Sequence, residues 1–339
     1  MTGTQSPPES AHVTDRDSAG RLSAAPGFEQ GVPRWLAHQR GLIEVLITDS
    51  VQLGADEFLL GTQLPRAHST WSDCHPGYHD PLVTVEAGRQ AGFVLAHRYY
   101  DVPRGTQFIS QQLTFEVGCL EAFIDSESEP TEGVFHVRLA DKQYRDGVLI
   151  GMSFRGELSI EGRPAKSMSG GMLFLPGGDY EGMRKHIRAG KALDPQSTSS
   201  TASPLDPESV GRSLRQNVVI AEGEHESRFV LLPDRSHPCF FDHPQDHLPG
   251  PLILEAFRQA ALASAKREGR LERSGAVLTG CRVQFSDFAE LEAPAECSVA
   301  LGGVSSGSAV AATVGLHQLG VQIAEAELHL TPCPPRTPR

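Results

Sequence analysis

The sequence predicts an α+β chain made of two similar halves, each with one long buried helix wrapped by an antiparallel β-sheet. The first indication is a motif that occurs twice, from His75 to Ala96 and again from His243 to Ala265. The second is that β-rich segments, divided by turn residues, surround one almost uncharged segment of helical length in each half. A repeat of this length is too long for a solenoid. It indicates a duplicated domain whose copies pack as an internal pseudo-dimer.

Composition divides the 339 residues into two folded units and three polar segments. Residues 1–33 are rich in Ser, Pro, Gly, Thr and Asp, which predicts a disordered N-terminal segment. A polar stretch at 189–211 is typical of a linker, and a flexible tail is expected at 332–339. The remaining units, 34–188 and 212–331, each have the length of an ordinary domain.

Charge and hydropathy disfavour several classes of protein. A net charge of −12 disfavours nucleic-acid binding, which needs a basic surface. No apolar run is long enough to span a bilayer, and the N-terminus lacks the apolar core of a secretion signal. The six cysteines are scattered without a C-x-x-C pair, which is typical of reduced thiols. We therefore expect a cytoplasmic protein that contacts neither nucleic acid nor a membrane.

The predicted elements follow the same order in both halves. The strands expected in the first half are 42–48, 57–64, 108–117, 133–140, 147–160 and 167–175. Those of the second half are 217–222, 227–232, 276–285, 296–302, 308–316 and 321–330. Helices are expected at 82–99 and 251–267, between the second and third strand of each half. Glycine-rich stretches at 170–182 and 302–310 lack the spacing of a phosphate-binding loop and are expected to form hairpin turns or flexible loops.

Each predicted helix is apolar on nearly all sides, as a buried helix is. Both contain the pattern Glu-x-x-Arg-Gln, whose copies lie 169 positions apart and comprise Glu86, Arg89, Gln90, Glu255, Arg258 and Gln259. A buried arginine costs several kcal/mol unless it is paired or bound to an anion. Each arginine therefore either pairs with the glutamate three residues before it or binds a phosphate or carboxylate of a substrate.

Histidines precede each predicted helix. His75 and His79 recur 168 positions later as His243 and His247, which indicates a single-residue indel between the histidines and the glutamate pattern. Their spacing resembles that of metal ligands on a helix, but prolines within both stretches disfavour that geometry, so we expect no metal site. A loop histidine instead fits a general acid or base, for which His79, His243 and His247 are the candidates.

The two helix starts differ in charge. Gly250 follows Pro249 and opens the second helix with backbone N–H groups that can hold a developing oxyanion. The first helix begins at Asp80 and Pro81 instead, and the carboxylate of Asp80 disfavours an oxyanion there. The two sites are therefore not expected to be equivalent.

Together these motifs resemble the A-factor biosynthesis (AfsA-type) proteins, which are double hotdogs. One half of that family has a His-Asp-Pro-Leu block, here residues 79–82, and the other has Asp-His-Pro-x-Asp-His-x-Pro-Gly, here residues 242–250. In both halves Glu-x-x-Arg-Gln follows. The resemblance spans residues 35–331 and implies a tandem double hotdog, in which a sheet wraps each central helix.

The resemblance also implies an acyltransferase that needs no cofactor. It would take a β-ketoacyl group from acyl carrier protein and pass it to dihydroxyacetone phosphate. Aldol closure would then give a butenolide phosphate, the precursor of a γ-butyrolactone-type signalling molecule. Glu86, Glu255 or one of the histidines would act as a base. The site would lie between the halves and draw a glutamate from one half and an arginine from the other. The candidate substrate-binding residues are Arg89, Arg258, Gln90, Gln259 and Gly250.

Two other functions fit the same residues. A hotdog dehydratase or thioesterase would act on an acyl carrier protein substrate without a phosphate partner. A non-catalytic acyl-binding or regulatory module would keep the pocket but no productive base. A basic cluster after the first half is either a solvated face or a surface for the acidic carrier protein; it comprises Arg184, Lys185, His186 and Arg188.

Overall fold

Each half follows the predicted order of two strands, one long helix and four strands. The first half contains β3 (Ile47–Gly54), β4 (Glu57–Leu64), α1 (Pro81–Tyr99), β5 (Gln107–Val117), β6 (Thr131–Arg145), β7 (Val148–Ile160), β8 (Arg163–Leu175) and α2 (Gly177–Ala189). The second contains β9 (Ile220–Glu222), β10 (Arg228–Leu231), α3 (Gly250–Arg267), β11 (Ala276–Phe285), β12 (Ala295–Val304), β13 (Val310–Gln318) and β14 (Val321–Pro332). Before them, β1 (Asp15–Arg16) pairs with β2 (Leu22–Ser23).

This computed structural model describes residues 15–16, 22–23, 25–74, 77–126, 128–193, 202–271, 275–304 and 309–333. Most of the segment expected to be disordered lies outside them, as do parts of the expected linker and tail. The domain boundaries therefore stay a prediction.

Twelve strands form one antiparallel sheet in the order β3-β4-β6-β7-β8-β5-β11-β14-β13-β12-β10-β9. Read inward from either edge, the two halves contribute their strands in the same order. The halves meet where β5 pairs with β11, from Gln112 opposite Gln284 to Glu116 opposite Gly280. The sheet is thus continuous across the junction of the two halves.

The two central helices are buried along most of their length because their apolar residues face the sheet on nearly every side. At Gly92 the sheet approaches α1 so closely that an added Cβ would lie 2.9 Å from the terminal methyl group of Met172. The side chain of Asp80 caps α1, accepting a hydrogen bond from the N–H of Leu82 at 2.9 Å. No side chain caps α3 at Pro249.

Two aspartates join the halves reciprocally. Asp242, before α3, accepts hydrogen bonds from the backbone N–H groups of residues 40 and 41 at 2.5 and 2.8 Å. Asp73, before α1, accepts hydrogen bonds from the N–H groups of residues 213 and 214 at 2.8 and 3.1 Å. Each half therefore supplies the carboxylate that satisfies backbone donors of the other half.

Three local expectations are wrong. Residues 42–48 and 217–222 were expected to be strands, but 3-10 turns at Leu42–Glu44 and Arg215–Asn217 delay the strands to Ile47 and Ile220. The stretch 170–182 forms no hairpin: it ends β8 and begins α2, whose arginines bind acidic residues of the second half. The stretch 302–310 does join two antiparallel strands as expected, since Val304 at the end of β12 lies opposite Val310 at the start of β13. Residues 305–308 lie outside the described chain.

Replacing either reciprocal aspartate should destabilise the whole chain. Asp73→Ala and Asp242→Ala each leave two backbone N–H groups without their charged acceptor. We expect each to lower the free energy of unfolding by about 2–4 kcal/mol in urea titrations. Glu157→Ala, at an exposed strand position, is the control and should change it by less than about 0.5 kcal/mol. Equal effects from all three would refute the inter-half role.

Candidate active site

A cleft of about 670 Å³ opens at the junction of the two halves. Its walls come from α1, from the start of α2 and from the loop that precedes α3. Of the candidate residues from the sequence, it brings together Glu86, Arg89, His243, His247 and Gly250. The cleft therefore draws residues from both halves, but Glu86 and Arg89 both come from the first half and not one from each.

A narrow apolar slot of about 70 Å³ adjoins the cleft. The two cavities share Trp71, Glu86, Arg89, Ser110, Gly250, Pro251 and Phe285. Beyond the shared residues, the slot is lined by apolar side chains from both halves, among them Leu82, Phe154, Met172 and Leu254. A ligand with a polar head and an apolar chain could occupy both cavities at once.

Glu86 holds Arg89 in place within α1. Nε and Nη2 of Arg89 donate to the two carboxylate oxygens of Glu86 at 2.8 and 2.7 Å. Glu86 also accepts hydrogen bonds from the side chains of Gln39 and Gln90, at 3.0 and 2.9 Å. A quarter of the Arg89 side chain (26 %) is exposed, and no residue in the described part of the chain accepts a hydrogen bond from its Nη1. The intrahelical pair therefore forms, yet the guanidinium still presents donors to the cleft.

The equivalent pair in α3 is sealed. Arg258 donates from Nε and Nη2 to Glu255 at 2.9 and 2.6 Å, and Arg212 donates a further hydrogen bond at 2.9 Å. The side chains of Glu255 and Arg258 are 1 % and 5 % exposed. Burial alone raises the pKa of Glu255, but the two arginines outweigh it and hold that pKa at about 2. Both side chains are buried and paired in this cluster. This does not fit the expected roles of Glu255 as a base and of Arg258 in binding phosphate.

Arg212 explains why the two halves differ. It contacts Glu255 as Gln39 contacts Glu86, and it also donates to the backbone carbonyls of Thr70 (2.9 Å) and Asp73. Its side chain has no exposed surface. In the first half the shorter Gln39 occupies the corresponding place and lines the open cleft. Arg212 therefore fills, in the second half, the space that stays accessible beside Gln39 in the first half.

The two glutamines of the helix pattern support the chain rather than the cleft. Gln90 donates to the carbonyl of Glu44 at 2.7 Å and accepts from the N–H of Leu46 at 2.9 Å. Gln259 repeats this arrangement with the carbonyl of residue 217 and the N–H of residue 219. Both glutamines are fully buried. Their expected role in substrate binding is therefore replaced by anchoring the segments that enter β3 and β9.

His247 lies beside a carboxylate that can orient its ring for the role of a general base. Its Nδ1 lies 2.6 Å from Oδ1 of Asp246. Burial raises the pKa of Asp246, but hydrogen bonds from His247, Arg184 and Tyr180 outweigh it and lower that pKa well below its usual range. An ionised carboxylate can only accept, so in the neutral form of the ring the hydrogen atom lies on Nδ1 and Nε2 is the acceptor.

His243 lies in the same cleft with weaker partners. Its Nε2 is 2.7 Å from the side-chain amide nitrogen of Gln245, and its Nδ1 is buried at 3.7 Å from Asp242. Burial and the nearby charge of Arg89 lower the pKa of His243, so its ring is neutral at neutral pH. Both loop histidines can therefore accept a proton, but only His247 is oriented by a close carboxylate.

His79 is not part of the cleft. It is buried, and its Nε2 lies 2.9 Å from the hydroxyl of Thr131. Its backbone N–H donates to a carbonyl at 2.8 Å, as that of Leu248 does in the second half. The structural counterpart of His79 is thus Leu248, not His247, and the expected single-residue indel is wrong. His75 lies outside the described residues.

Of the two central helices, α3 is the one whose start faces the cleft. Gly250 lines both the cleft and the slot, and among the described residues no side chain caps the helix there. Pro251 has no N–H, so the unsatisfied donors of the first turn are few and lie close together. At the start of α1, one oxygen of Asp80 caps the helix and the other is 3.7 Å from Arg212. The predicted difference between the helix starts is present.

A family described as the A-factor biosynthesis hotdog domain, AfsA, matches residues 21–176 and 193–334. The chain belongs to the AfsA family. The AfsA resemblance and the tandem double hotdog inferred from the sequence are therefore confirmed.

Curated relatives share most of their length with this AfsA chain. A 2-oxo-3-(phosphooxy)propyl 3-oxoalkanoate synthase of Streptomyces virginiae is 32 % identical over 78 % of this chain and 85 % of its own. A Streptomyces griseus protein of the same name is 30 % identical over 72 % of this chain and 77 % of its own. Within the described ranges, no helix is both long and apolar enough to cross a membrane, and no group of three His, Cys, Asp or Glu side chains could hold a metal ion.

The sealed pair in α3 should make stability depend on pH. The pKa of Glu255 is about 2 in the folded chain, against an ordinary value of 4.5. The ionised Glu255 therefore stabilises the folded chain, and this contribution is complete above about pH 4.5. It is lost as the pH falls towards 2 and amounts to roughly 3 kcal/mol. Urea unfolding of the wild type and Glu255→Gln between pH 2 and 6 measures it. Parallel curves for the two proteins would contradict this assignment.

Proposed function

We propose that this chain transfers a β-ketoacyl group from acyl carrier protein to a hydroxyl of dihydroxyacetone phosphate. The product is an ester with the structure that the relatives' name describes, a 2-oxo-3-(phosphooxy)propyl 3-oxoalkanoate. Aldol closure of that ester, in which the carbon between its two carbonyls bonds to the ketone carbon and water is lost, gives a butenolide phosphate, a precursor of a γ-butyrolactone-type signalling molecule. The observation that carries the proposal is that an apolar slot joins a polar cleft beside Arg89.

The slot and the helix start suit the acyl donor. An acyl chain would lie in the slot among apolar side chains such as Leu82 and Leu254. Its thioester carbonyl would then lie at the mouth of the slot, where Gly250 opens α3. Unpaired N–H groups at a helix start stabilise the oxyanion that forms when the carbonyl is attacked. The second half thus contributes the oxyanion site.

Arg89 suits the phosphate of the acceptor. Its guanidinium is kept in one orientation by Glu86, while its exposed edge can donate hydrogen bonds to phosphate oxygens. Because Glu86 already accepts four hydrogen bonds, we assign it to positioning Arg89 and not to proton transfer. Glu255, sealed beside Arg212 and Arg258, takes no part in the reaction.

His247 is the base of the proposed reaction. Its Nε2 takes the proton of the acceptor hydroxyl as that oxygen bonds to the thioester carbonyl carbon. The tetrahedral intermediate then collapses, the C–S bond breaks, and the proton passes from His247 to the departing thiolate. The ester and the free carrier thiol are the only products, so no covalent enzyme intermediate is needed.

The same proposal accounts for the arrangement and location of the chain. The mirrored strand order and the reciprocal contacts of Asp73 and Asp242 support an internal pseudo-dimer. A mixed site at the junction would then need residues from both copies. A substrate carried on acyl carrier protein favours the predicted cytoplasmic location.

Mass spectrometry separates the proposal from its alternatives. The chain is incubated with a β-ketoacyl thioester of acyl carrier protein, with and without dihydroxyacetone phosphate. An ester that appears only with the phosphate supports acyl transfer. Hydrolysis or dehydration without the phosphate indicates a thioesterase or dehydratase, and binding without turnover indicates a regulatory module; either result refutes the proposal.

The two helix arginines should respond differently to truncation. Arg89→Ala should lower kcat/KM for dihydroxyacetone phosphate about a hundredfold, the effect of losing a charge-assisted contact worth about 3 kcal/mol. Arg258→Ala should instead lower the free energy of unfolding by several kcal/mol, because it opens a buried ion pair. Steady-state kinetics and urea unfolding of both variants measure this. Undiminished phosphate-dependent turnover in Arg89→Ala would remove Arg89 from the site.

Gln39→Arg tests which half holds the site. The new guanidinium should lie against Glu86 as Arg212 lies against Glu255, and so fill the cleft. We expect turnover to fall roughly tenfold or more while the Tm stays at or above that of the wild type. Gln39→Met, which adds no charge and little volume, is the control for loss of the amide. Full activity in Gln39→Arg with a raised Tm would place the reaction elsewhere.

A further inference from the structure

We propose that α2 positions the base of this enzyme: Tyr180 and Arg184 fix Asp246, and Asp246 in turn orients His247. This inference rests on the proposed function and adds Tyr180 and Arg184, which the AfsA motifs do not include, to Asp246, which the second motif does include. It makes Tyr180, Arg184 and Asp246 positioning residues, since none of them is needed to contact the reacting atoms. It also gives α2, which the sequence did not predict, a place in the reaction.

Asp246 is held from three directions. The hydroxyl of Tyr180 donates to Oδ1 at 2.8 Å, and Nε of Arg184 donates to Oδ2 at 2.9 Å. Nη2 of Arg184 also donates to the backbone carbonyl of Asp246 at 3.2 Å. Both the carboxylate and the peptide of Asp246 are therefore fixed, which leaves its Oδ1 aligned with Nδ1 of His247 at 2.6 Å.

Arg184 is itself anchored in the second half. Its two terminal nitrogens donate to Glu290 at 3.0 and 2.7 Å, and the Glu290 side chain is fully buried. The guanidinium also stacks over Phe288, 4.3 Å from the ring centroid. The same ring meets His247 edge-on at 4.9 Å. Arg184 therefore supports His247 by two routes, through Asp246 and through Phe288.

This network corrects the expectation for Arg184 and Arg188 of the basic cluster that follows the first half, whereas Lys185 and His186 are exposed, as residues of a solvated face are. Arg184 is 4 % exposed and Arg188 pairs with Glu290 and Glu292, so neither residue forms a free solvated face or carrier-binding surface. Arg188 contacts neither Asp246 nor His247 among the described residues. It therefore offers a matched control, since it shares Glu290 with Arg184 but not the aspartate.

Because of the charges around His247, the proposal predicts that two variants shift the pH dependence of kcat in opposite directions. The groups near it are Asp246 on its own loop, Tyr180 and Arg184 on α2, and Glu290 behind Arg184, with Arg188, Lys191 and Asp287 further out in the same ion-pair cluster. Removing the carboxylate of Asp246 withdraws the anion that favours the imidazolium. Removing Arg184 withdraws the cation that offsets this anion.

The test is the pH dependence of kcat for the full chain with a β-ketoacyl carrier protein thioester and dihydroxyacetone phosphate. Asp246→Asn should lower kcat about tenfold or more and move the midpoint of the acidic limb to lower pH. Arg184→Gln should lower kcat and move that midpoint to higher pH. Tyr180→Phe should move it in the same direction by less, and Arg188→Gln should leave it unchanged.

Each outcome decides the proposal. Shifts of opposite sign for Asp246→Asn and Arg184→Gln, with KM for dihydroxyacetone phosphate within about twofold, support it. Losses of kcat without a change of midpoint, or equal shifts in Arg188→Gln, mean that α2 only stabilises the fold and overturn it. If Arg184→Gln fails to fold, Tyr180→Phe decides alone. An acidic limb that persists in His247→Ala overturns the role of the base, whereas a wild type without turnover refutes the proposed function instead.

Discussion

The burial of an ionised carboxylate and guanidinium inside each central helix is the constraint that shapes this protein. Such a pair is costly unless every donor and acceptor is satisfied. In α1 and α3 the glutamate meets this requirement with its own arginine and with the next glutamine. The glutamines in turn hold the segments that lead into the first strand of each half. The charged pair thus sets the position of the helix and of the chain beside it.

Duplication allowed the two copies of this arrangement to separate in role. In the second half Arg212 adds a second cation to the glutamate and closes the space around it. In the first half Gln39 is too short to do so, and the arginine keeps an exposed edge. The cleft beside Glu86 and Arg89 of the first half is completed by the histidine loop and the start of α3, which both belong to the second half. In the proposed reaction, neither half has a complete set of groups by itself.

Local patterns predicted the elements that local forces determine. The two helices follow from their apolar composition, and most strands follow from alternation and turn residues. By contrast, α2 begins with two glycines and is held by ion pairs to residues over 60 positions away. Gln39 and Arg212 also went unrecognised, because the repeat is not visible in the segments that contain them. The repeated histidines led to a wrong correspondence between the halves because their equal spacing suggested equivalent positions. In the structure His79 corresponds to Leu248, and its partners differ from those of His247.

The exchanged carboxylates of Asp73 and Asp242 have a consequence for how such a protein could have evolved. While each copy completes the backbone hydrogen bonds of the other, neither can be discarded or drift in shape without exposing polar groups of its neighbour. Selection on the fold alone therefore preserves the copy whose own pocket has closed. If one half loses its ancestral reaction centre, the gene must still encode that half because the fold of the other half depends on it.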